Sequence, residues 1–290
     1  MDLNTVTEFV PAPDAAWRHG DAWLGGGTWL FSQPQPTVTR LLDLRAFGWI
    51  PVEERGDGIL VAATCTLAEL RGWQPARAVY APAAALARQC CDALLGSFKV
   101  QNVATVGGNI CLALPAGPMT ALASALDGVA LLRGPGSGDA ASPASPAGPA
   151  GFVEGRRDVP VCDLVTGDGR NDLRPGELLT HIWFPARQLA ARTAFRQLSL
   201  SPVGRSAVLV IARRDPSGVS GSGDGATVVT VTASTPRPVC LRFPAPPTAA
   251  EALAALAAAV PRYLDDVHGS AAWRAAMTRR LVAETLEELA

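Results

Sequence analysis

No apolar run in this 290-residue sequence is long enough to cross a bilayer as a helix, which takes about 18 residues or more. Cysteine is sparse and dispersed. The six thiols, Cys65, Cys90, Cys91, Cys111, Cys162 and Cys240, include no C-x-x-C pair. That spacing excludes a zinc ribbon or a compact iron–sulfur motif, and buried thiols in a reducing compartment are the expectation. Charge is scarce as well. Charged residues make up 18% of the chain and the net charge is −1, so the excess of Lys and Arg that nucleic-acid binding needs is missing. The low charged fraction fits a surface partly covered by partner subunits, although an alanine-rich composition alone would also produce it. The opening MDLNTVTEFVPAPD carries acids and no basic n-region; no signal peptide is expected, and the cytoplasm is the expected location. G-x-x-x-x-G-K-(S or T), H-E-x-x-H and G-x-S-x-G are all absent. The three histidines, His19, His181 and His268, are far apart, and surface or structural roles are expected for them.

Hydrophobic residues, at 48%, supply ample core for one large or two ordinary domains. DGILVAA (57–63) reads as a strand. APAAALARQCCDALLG (81–96) sets Leu86, Cys90 and Leu94 on one helical face and ends in Gly96. VALL (129–132) and DVPVCDLV (158–165) read as a strand pair. After Pro175 come four β-like runs, at 177–185, 193–200, 207–215 and 226–234. Two helical segments follow. The first has Thr248 and Glu251 at capping-box spacing; the second carries Trp273, Met277 and Leu281 on one face, then Leu286 and Leu289. Strands followed by terminal helices predict a separate α+β domain, with a boundary near 175–190.

Two segments, 133–155 and 215–225, are dominated by Gly, Ala, Ser and Pro with few large apolar residues and read as long flexible surface turns. They hold GSGDAA (136–141) and GSGDGA (221–226), which fit G-x-G-x-x-A. The first runs into a proline-rich string and the second into a strand. The dinucleotide fingerprint needs strand, turn and helix in that order, so both are rejected.

Two other glycine runs remain: LGGGTWL (24–30) and TVGGN (105–109). Glycine permits positive φ and lets backbone N–H groups approach a ligand with no Cβ in the way. Successive N–H groups form a nest for phosphate oxygens, and two nests could meet around a pyrophosphate. Each run alone is equally readable as a tight turn.

In order along the chain, LGGGTWL, LLDLRAFGWI, DGILVAATCTLAEL, LLGSFKVQNVATVGGNICLALPAGP, ALDGVALL, VPVCDLVTGDGRNDLRPGELLTHIWFP, TAFRQLSL, ASTPRPV and GSAAWRAAMTRRLV resemble the FAD-binding medium subunit of bacterial molybdenum hydroxylases. This is the xanthine dehydrogenase and carbon monoxide dehydrogenase group, whose pattern runs A-G-G-T-(D or S)-L, then L-(V or I)-D-(I or L), then R-N-V-A-T-(I or V)-G-G-N. The resemblance implies an α+β chain: a two-subdomain FAD-binding fold of the vanillyl-alcohol-oxidase (PCMH) type over 1–185, and a C-terminal α+β domain of antiparallel sheet and helices over 186–290. It implies that Trp23, Leu24, Gly25, Gly26, Gly27, Thr28, Trp29 and Leu30 wrap the FAD pyrophosphate, with Thr105, Val106, Gly107, Gly108 and Asn109 completing the cradle. Leu95 would lie against the cofactor, Leu179 near the flavin, and Arg196 would stand where the family has Lys. No catalytic residue and no metal ligand is implied.

The resemblance further implies partners: a large subunit carrying a molybdenum cofactor and a small subunit carrying 2Fe–2S clusters, assembled as a dimer of heterotrimers. The molybdenum subunit would hydroxylate a heteroaromatic or aldehyde substrate. Electrons would reach FAD through the clusters and pass to NAD+ or another acceptor. Exposed apolar surface, some tryptophans included, would form partner interfaces. One branch, the benzoyl-CoA-type reductases, carries an extra cluster in an insertion of this subunit; residues 133–155 hold no cysteine, and none is expected here. Two departures stand out: Trp29 where relatives have a small polar or acidic residue, and Gly117-Pro118 where relatives commonly have an Asp. A stand-alone flavin oxidoreductase of the same fold and an FAD-less structural paralogue remain open alternatives.

Overall fold

A computed structural model describes residues 3–135, 155–216 and 225–290. GSGDAA, most of GSGDGA, and the bulk of the two segments read as surface turns lie outside the described residues.

Three short strands open the chain: β1 (Glu8–Pro11), β2 (Asp21–Leu24) and β3 (Arg40–Asp43), a parallel sheet in the order β1-β3-β2. Asp21 and Arg40 are register partners, and Arg40 donates to both Asp21 carboxylate oxygens at 2.7 and 2.6 Å. That fork holds the Asp21 carboxyl below its usual range even though burial opposes the shift. It fixes the start of β2, and so the point at which the chain leaves Leu24 for the first glycine run.

β4 (Val52–Arg55) and β5 (Gly58–Ala62) form a hairpin. Helices α1 (Leu67–Arg71), α2 (Ala81–Ala93), α3 (Phe98–Gln101), α4 (Val106–Leu112) and α5 (Pro118–Ala125) follow. Next come β6 (Val129–Arg133), β7 (Arg156–Pro160), the single turn α6 (Val161–Leu164), the two-stranded β8 (Val165–Gly167) and β9 (Arg170–Asn171), and β10 (Leu178–Pro185). β10 inserts between β5 and β6 to complete an antiparallel sheet, β4-β5-β10-β6-β7. Ile59, Val61, Leu132, Ile182 and Phe184 of this sheet share one core with Leu86, Cys90, Met119 and Leu122 of α2 and α5.

After α7 (Ala186–Leu189), β11 (Arg192–Leu198), β12 (Val208–Arg214), β13 (Thr227–Thr232) and β14 (Val239–Phe243) form an antiparallel meander. It is backed by α8 (Ala249–Ala259) and α9 (Ala271–Leu289). The run AVLVIA is apolar at every position because both faces of β12 are covered. Val208 and Val210 pack toward Leu256 and Leu281, while Leu209 and Ile211 join the first core.

The architecture is α+β, as expected. The capping box is present: Glu251 N–H donates to Thr248 Oγ1 at 3.2 Å, and Thr248 N–H donates to Glu251 Oε2 at 2.7 Å. Leu281, Leu286 and Leu289 are buried on α9, with Trp273 and Met277 packed beside them.

Two element expectations need correction. Residues 81–96 are helical only to Ala93, because Leu94 turns extended and ends the helix before Gly96 is reached. In 158–165 the strand stops at Pro160 and a helical turn follows, since proline's fixed φ suits a helix start rather than a ladder. All four late β-runs are strands; the first lies in the five-stranded sheet, and Val239–Phe243 completes the meander. Among the described residues no helix is long and apolar enough to cross a membrane.

Candidate functional site

β2 ends at Leu24, and the chain turns through Gly25, Gly26 and Gly27 onto a 3-10 turn at Leu30–Ser32. The glycines are sterically enforced. A Cβ on Gly26 would stand 1.5 Å from the carbonyl oxygen of Val103, and one on Gly25 2.9 Å from Thr105 Oγ1. Gly27 has φ +71, and its α-carbon is covered by the Phe31 ring. The first glycine run therefore lies directly on the segment that leads into the second, as the cradle requires. Among the described residues, no backbone N–H from Gly25 through Leu30 donates to a protein acceptor. Thr28 and Trp29 are exposed and the three glycines half-buried. A row of unpaired donors at a half-buried turn is what an anion nest looks like before its anion.

The second run is built differently. Thr105 is the N-cap of α4 and its hydroxyl accepts the Gly108 N–H at 3.1 Å. Val106 N–H donates to the Cys65 carbonyl, Gly107 N–H to the Ala63 carbonyl and Asn109 N–H to the Thr105 carbonyl, at 2.9, 2.9 and 3.0 Å. The expected second amide nest is thus closed, because the turn after β5 supplies the carbonyls that the first turn of α4 lacks. Gly107 is glycine because a Cβ would meet Ala63 Cβ at 2.5 Å. The first run lies against Val103, Ala104 and Thr105, and within 105–109 only Gly108 is exposed.

Asn109 turns the other way. Its Oδ1 accepts the Met119 N–H at 3.0 Å and so caps α5, a helix whose N-cap, Gly117, has no side chain to do this. Pro118 opens α5, where its missing N–H costs nothing, and it is buried. The Gly117-Pro118 departure is therefore a helix start.

The remaining predicted residues separate. The Trp23 indole donates to the Glu177 carbonyl at 3.1 Å and leans on Trp17, beneath the loop. Trp29 is 46% exposed and Leu95 61% exposed; with Phe31, Phe98 and Val103 they put apolar side chains in solvent on the two segments that meet at the cradle. Leu179 is 3% exposed, packed in the core opposite Leu132, and does not reach an open surface. Arg196 is not brought to the cradle. Its neighbours Ala194 and Leu198 share its side of β11 and face α9, and its guanidinium pairs with Glu284 and Glu288 of that helix. Strand alternation sends it there, while Phe195 turns to the first core.

His181 is buried against Trp49, with ring centroids 5.0 Å apart, and burial pushes its pKa down to about 4. It is a neutral structural side chain at neutral pH, as expected; His19 is exposed and His268 half-buried. Cys65, Cys90 and Cys91 are buried, the other three thiols half-buried, and all six are free. The sequence reading missed Val103, whose carbonyl excludes any side chain at Gly26, and Phe31, which covers Gly27. The spacing of the glycine runs held no signal for either.

Residues 9–142 match the family described as the FAD binding domain in molybdopterin dehydrogenase. Among solved structures, reconstituted CO dehydrogenase from Oligotropha carboxidovorans is 20% identical over 99% of this chain and 98% of that chain, with a TM-score of 0.76. Quinoline 2-oxidoreductase from Pseudomonas putida 86 is 18% identical over 99% and 98%, with a TM-score of 0.72. The carbon monoxide dehydrogenase from Hydrogenophaga pseudoflava that lacks the Mo-pyranopterin moiety is 20% identical over 97% and 96%, with a TM-score of 0.71. No curated protein matches the chain by sequence. The structural likeness covers nearly the whole chain.

Proposed function

We propose that this protein, whose residues 9–142 are an FAD-binding domain of the molybdopterin dehydrogenase kind, is the flavin-carrying subunit of a molybdenum hydroxylase. One observation carries the reading at the level of residues: the unpaired N–H groups from Gly25 through Leu30, on a loop whose three glycines have no room for a side chain. Such a loop fits a pyrophosphate, whose oxygens are acceptors only. The Thr28 hydroxyl is exposed beside these amides and adds a donor. Val103 and Thr105 abut the loop's glycines, and Thr105 through Asn109 complete the cradle in this reading. Trp29, Leu95, Phe98 and Val103 offer apolar cover of the kind an aromatic ring system or a partner subunit needs. The free amides also favour this reading over an FAD-less structural paralogue, which would have no use for them.

When bound, FAD supplies the redox chemistry, accepting electrons singly and releasing them in pairs. The chain's own part is to bind and orient it through rigid backbone donors. In this reading the division at 185/186 separates the cofactor-binding part from a C-terminal domain. The partners are a large molybdenum subunit and a small 2Fe–2S subunit, arranged as a dimer of heterotrimers, in the cytoplasm. The final acceptor is NAD+ or another oxidant.

Purified protein, denatured and assayed for released flavin, is expected to yield FAD rather than FMN. Gly26→Ala, which drives a methyl group into the Val103 carbonyl, is expected to yield little or none. Colourless wild-type protein that takes up no added FAD would sink the proposal.

A further inference from the structure

A cavity of about 370 Å³ opens where α7 meets the meander, walled by Arg187, Arg213, Arg242, Asp127, Asp215 and Phe243, among other described residues. It shares none of the glycine-run residues. Its walls combine charge with the apolar surfaces of Val228, Phe243 and Pro244.

The charges are unequally satisfied. Arg213, only 2% exposed, bonds the Ala125 carbonyl and Asp127 Oδ2, each at 2.6 Å, and pairs with Asp215 at 2.7 Å. Arg242 takes the other Asp127 oxygen at 2.6 Å. Burial works to raise the Asp127 pKa, but these two guanidiniums outweigh it and hold the carboxylate ionised. Asp127 keeps this position at φ +50, a conformation unusual for a residue with a side chain. Asp127 is therefore matched by Arg213 and Arg242, while Asp215 pairs with Arg213 at 2.7 Å and more distantly with Arg187.

Arg187 is the excess cation. Its Nε and Nη2 are buried and have no hydrogen-bond acceptor among the described residues. Asp215 comes no closer to that Nε than 3.7 Å, beyond hydrogen-bond reach. Buried guanidinium donors without acceptors are costly, and natural proteins rarely leave them so. Three arginines against two aspartates leave the walls one positive charge in surplus, beside the Arg187 donors that no oxygen of the described residues meets within hydrogen-bond reach. Gln188, on the same helix, adds an unpartnered Oε1.

We propose that this cavity is a binding site for a small organic oxyanion, with Arg187 as its principal ligand, Arg242 as a second, and Phe243 and Val228 against the carbon skeleton. The shared chemistry is a compact anionic acceptor group, carried by a carboxylate or a phosphate ester. A bidentate guanidinium contact suits either. The inference does not depend on the flavin reading, because it uses different elements.

The test is calorimetric titration of the purified full chain with inorganic phosphate and, separately, succinate, at constant ionic strength with chloride as the reference anion. Saturable binding of one of the two is expected, and which one binds identifies the source. Arg187→Gln is expected to weaken it by roughly tenfold or more, as loss of charge-assisted hydrogen bonds should. Arg187→Lys, which keeps the charge and a fold-compatible stem but loses the fork, is expected to weaken it less. Flavin content should be unchanged in both variants, which separates this site from the cradle. No saturable binding of either anion beyond chloride, or equal binding by wild type and Arg187→Gln, would overturn the proposal.

Discussion

At the scale of single residues, the glycines carry the cradle and His181 carries a pH signature. Gly25, Gly26 and Gly107 are each required because a neighbour sits where a Cβ would go. Gly27 adds a positive φ, so the run is a contact surface as well as a flexible turn. Trp29, the large ring where relatives are small and polar, occupies no interior space: it is half in solvent, and the amides beside it need no particular side chain. His181 is buried with its Nδ1 unpartnered. Burial lowers its folded-state pKa from 6.5 to about 4, so the unfolded chain binds the extra proton first as pH falls. Its contribution is complete above about pH 6.5 and is lost between there and pH 4. The loss is on the order of 3 kcal/mol, at about 1.36 kcal/mol per pKa unit. Denaturant titrations across that window should show His181→Leu with a flatter pH dependence than wild type. Identical slopes would show that His181 does not titrate as described.

At the scale of elements, legibility in the sequence tracked how local the cause was. The box at Thr248 and Glu251 was readable because both partners lie within four residues. Replacing Thr248 with Ala should cost about 1 kcal/mol in chemical denaturation, and no change would show the cap to be redundant. The glycine runs were readable as candidate sites because their composition is extreme. Their unequal roles were not, because the carbonyls that close the amides of α4 come from Ala63 and Cys65, some forty residues upstream. That Arg196 faces α9 was hidden for a related reason: a motif places a residue on a strand but does not say which face a distant helix will cover. The parallel sheet of β1, β2 and β3 gave little signal, since strands of four residues are too short for periodicity to register. The arginine cluster was invisible for the same reason of distance, since Asp127 and Arg213 are 86 residues apart.

At the scale of the whole molecule, two cores meet along β12, which gives alternate side chains to each. The glycine loop is carried by the first unit and rests on the segment between α3 and α4, while the arginine-walled cavity lies where α7 joins the meander. The structural likeness to CO dehydrogenase and quinoline 2-oxidoreductase chains spans both units, so cofactor binding and partner docking are proposed for one continuous architecture. The central claim is that the first glycine run, and not the second, donates its amides to FAD. Peptide-resolved hydrogen–deuterium exchange on flavin-stripped and FAD-loaded protein tests it most directly. Strong new protection of residues 25–30 on loading is expected, with residues 106–109 already protected in the stripped protein and little changed. Unchanged exchange at 25–30, or new protection confined to 106–109, would contradict it.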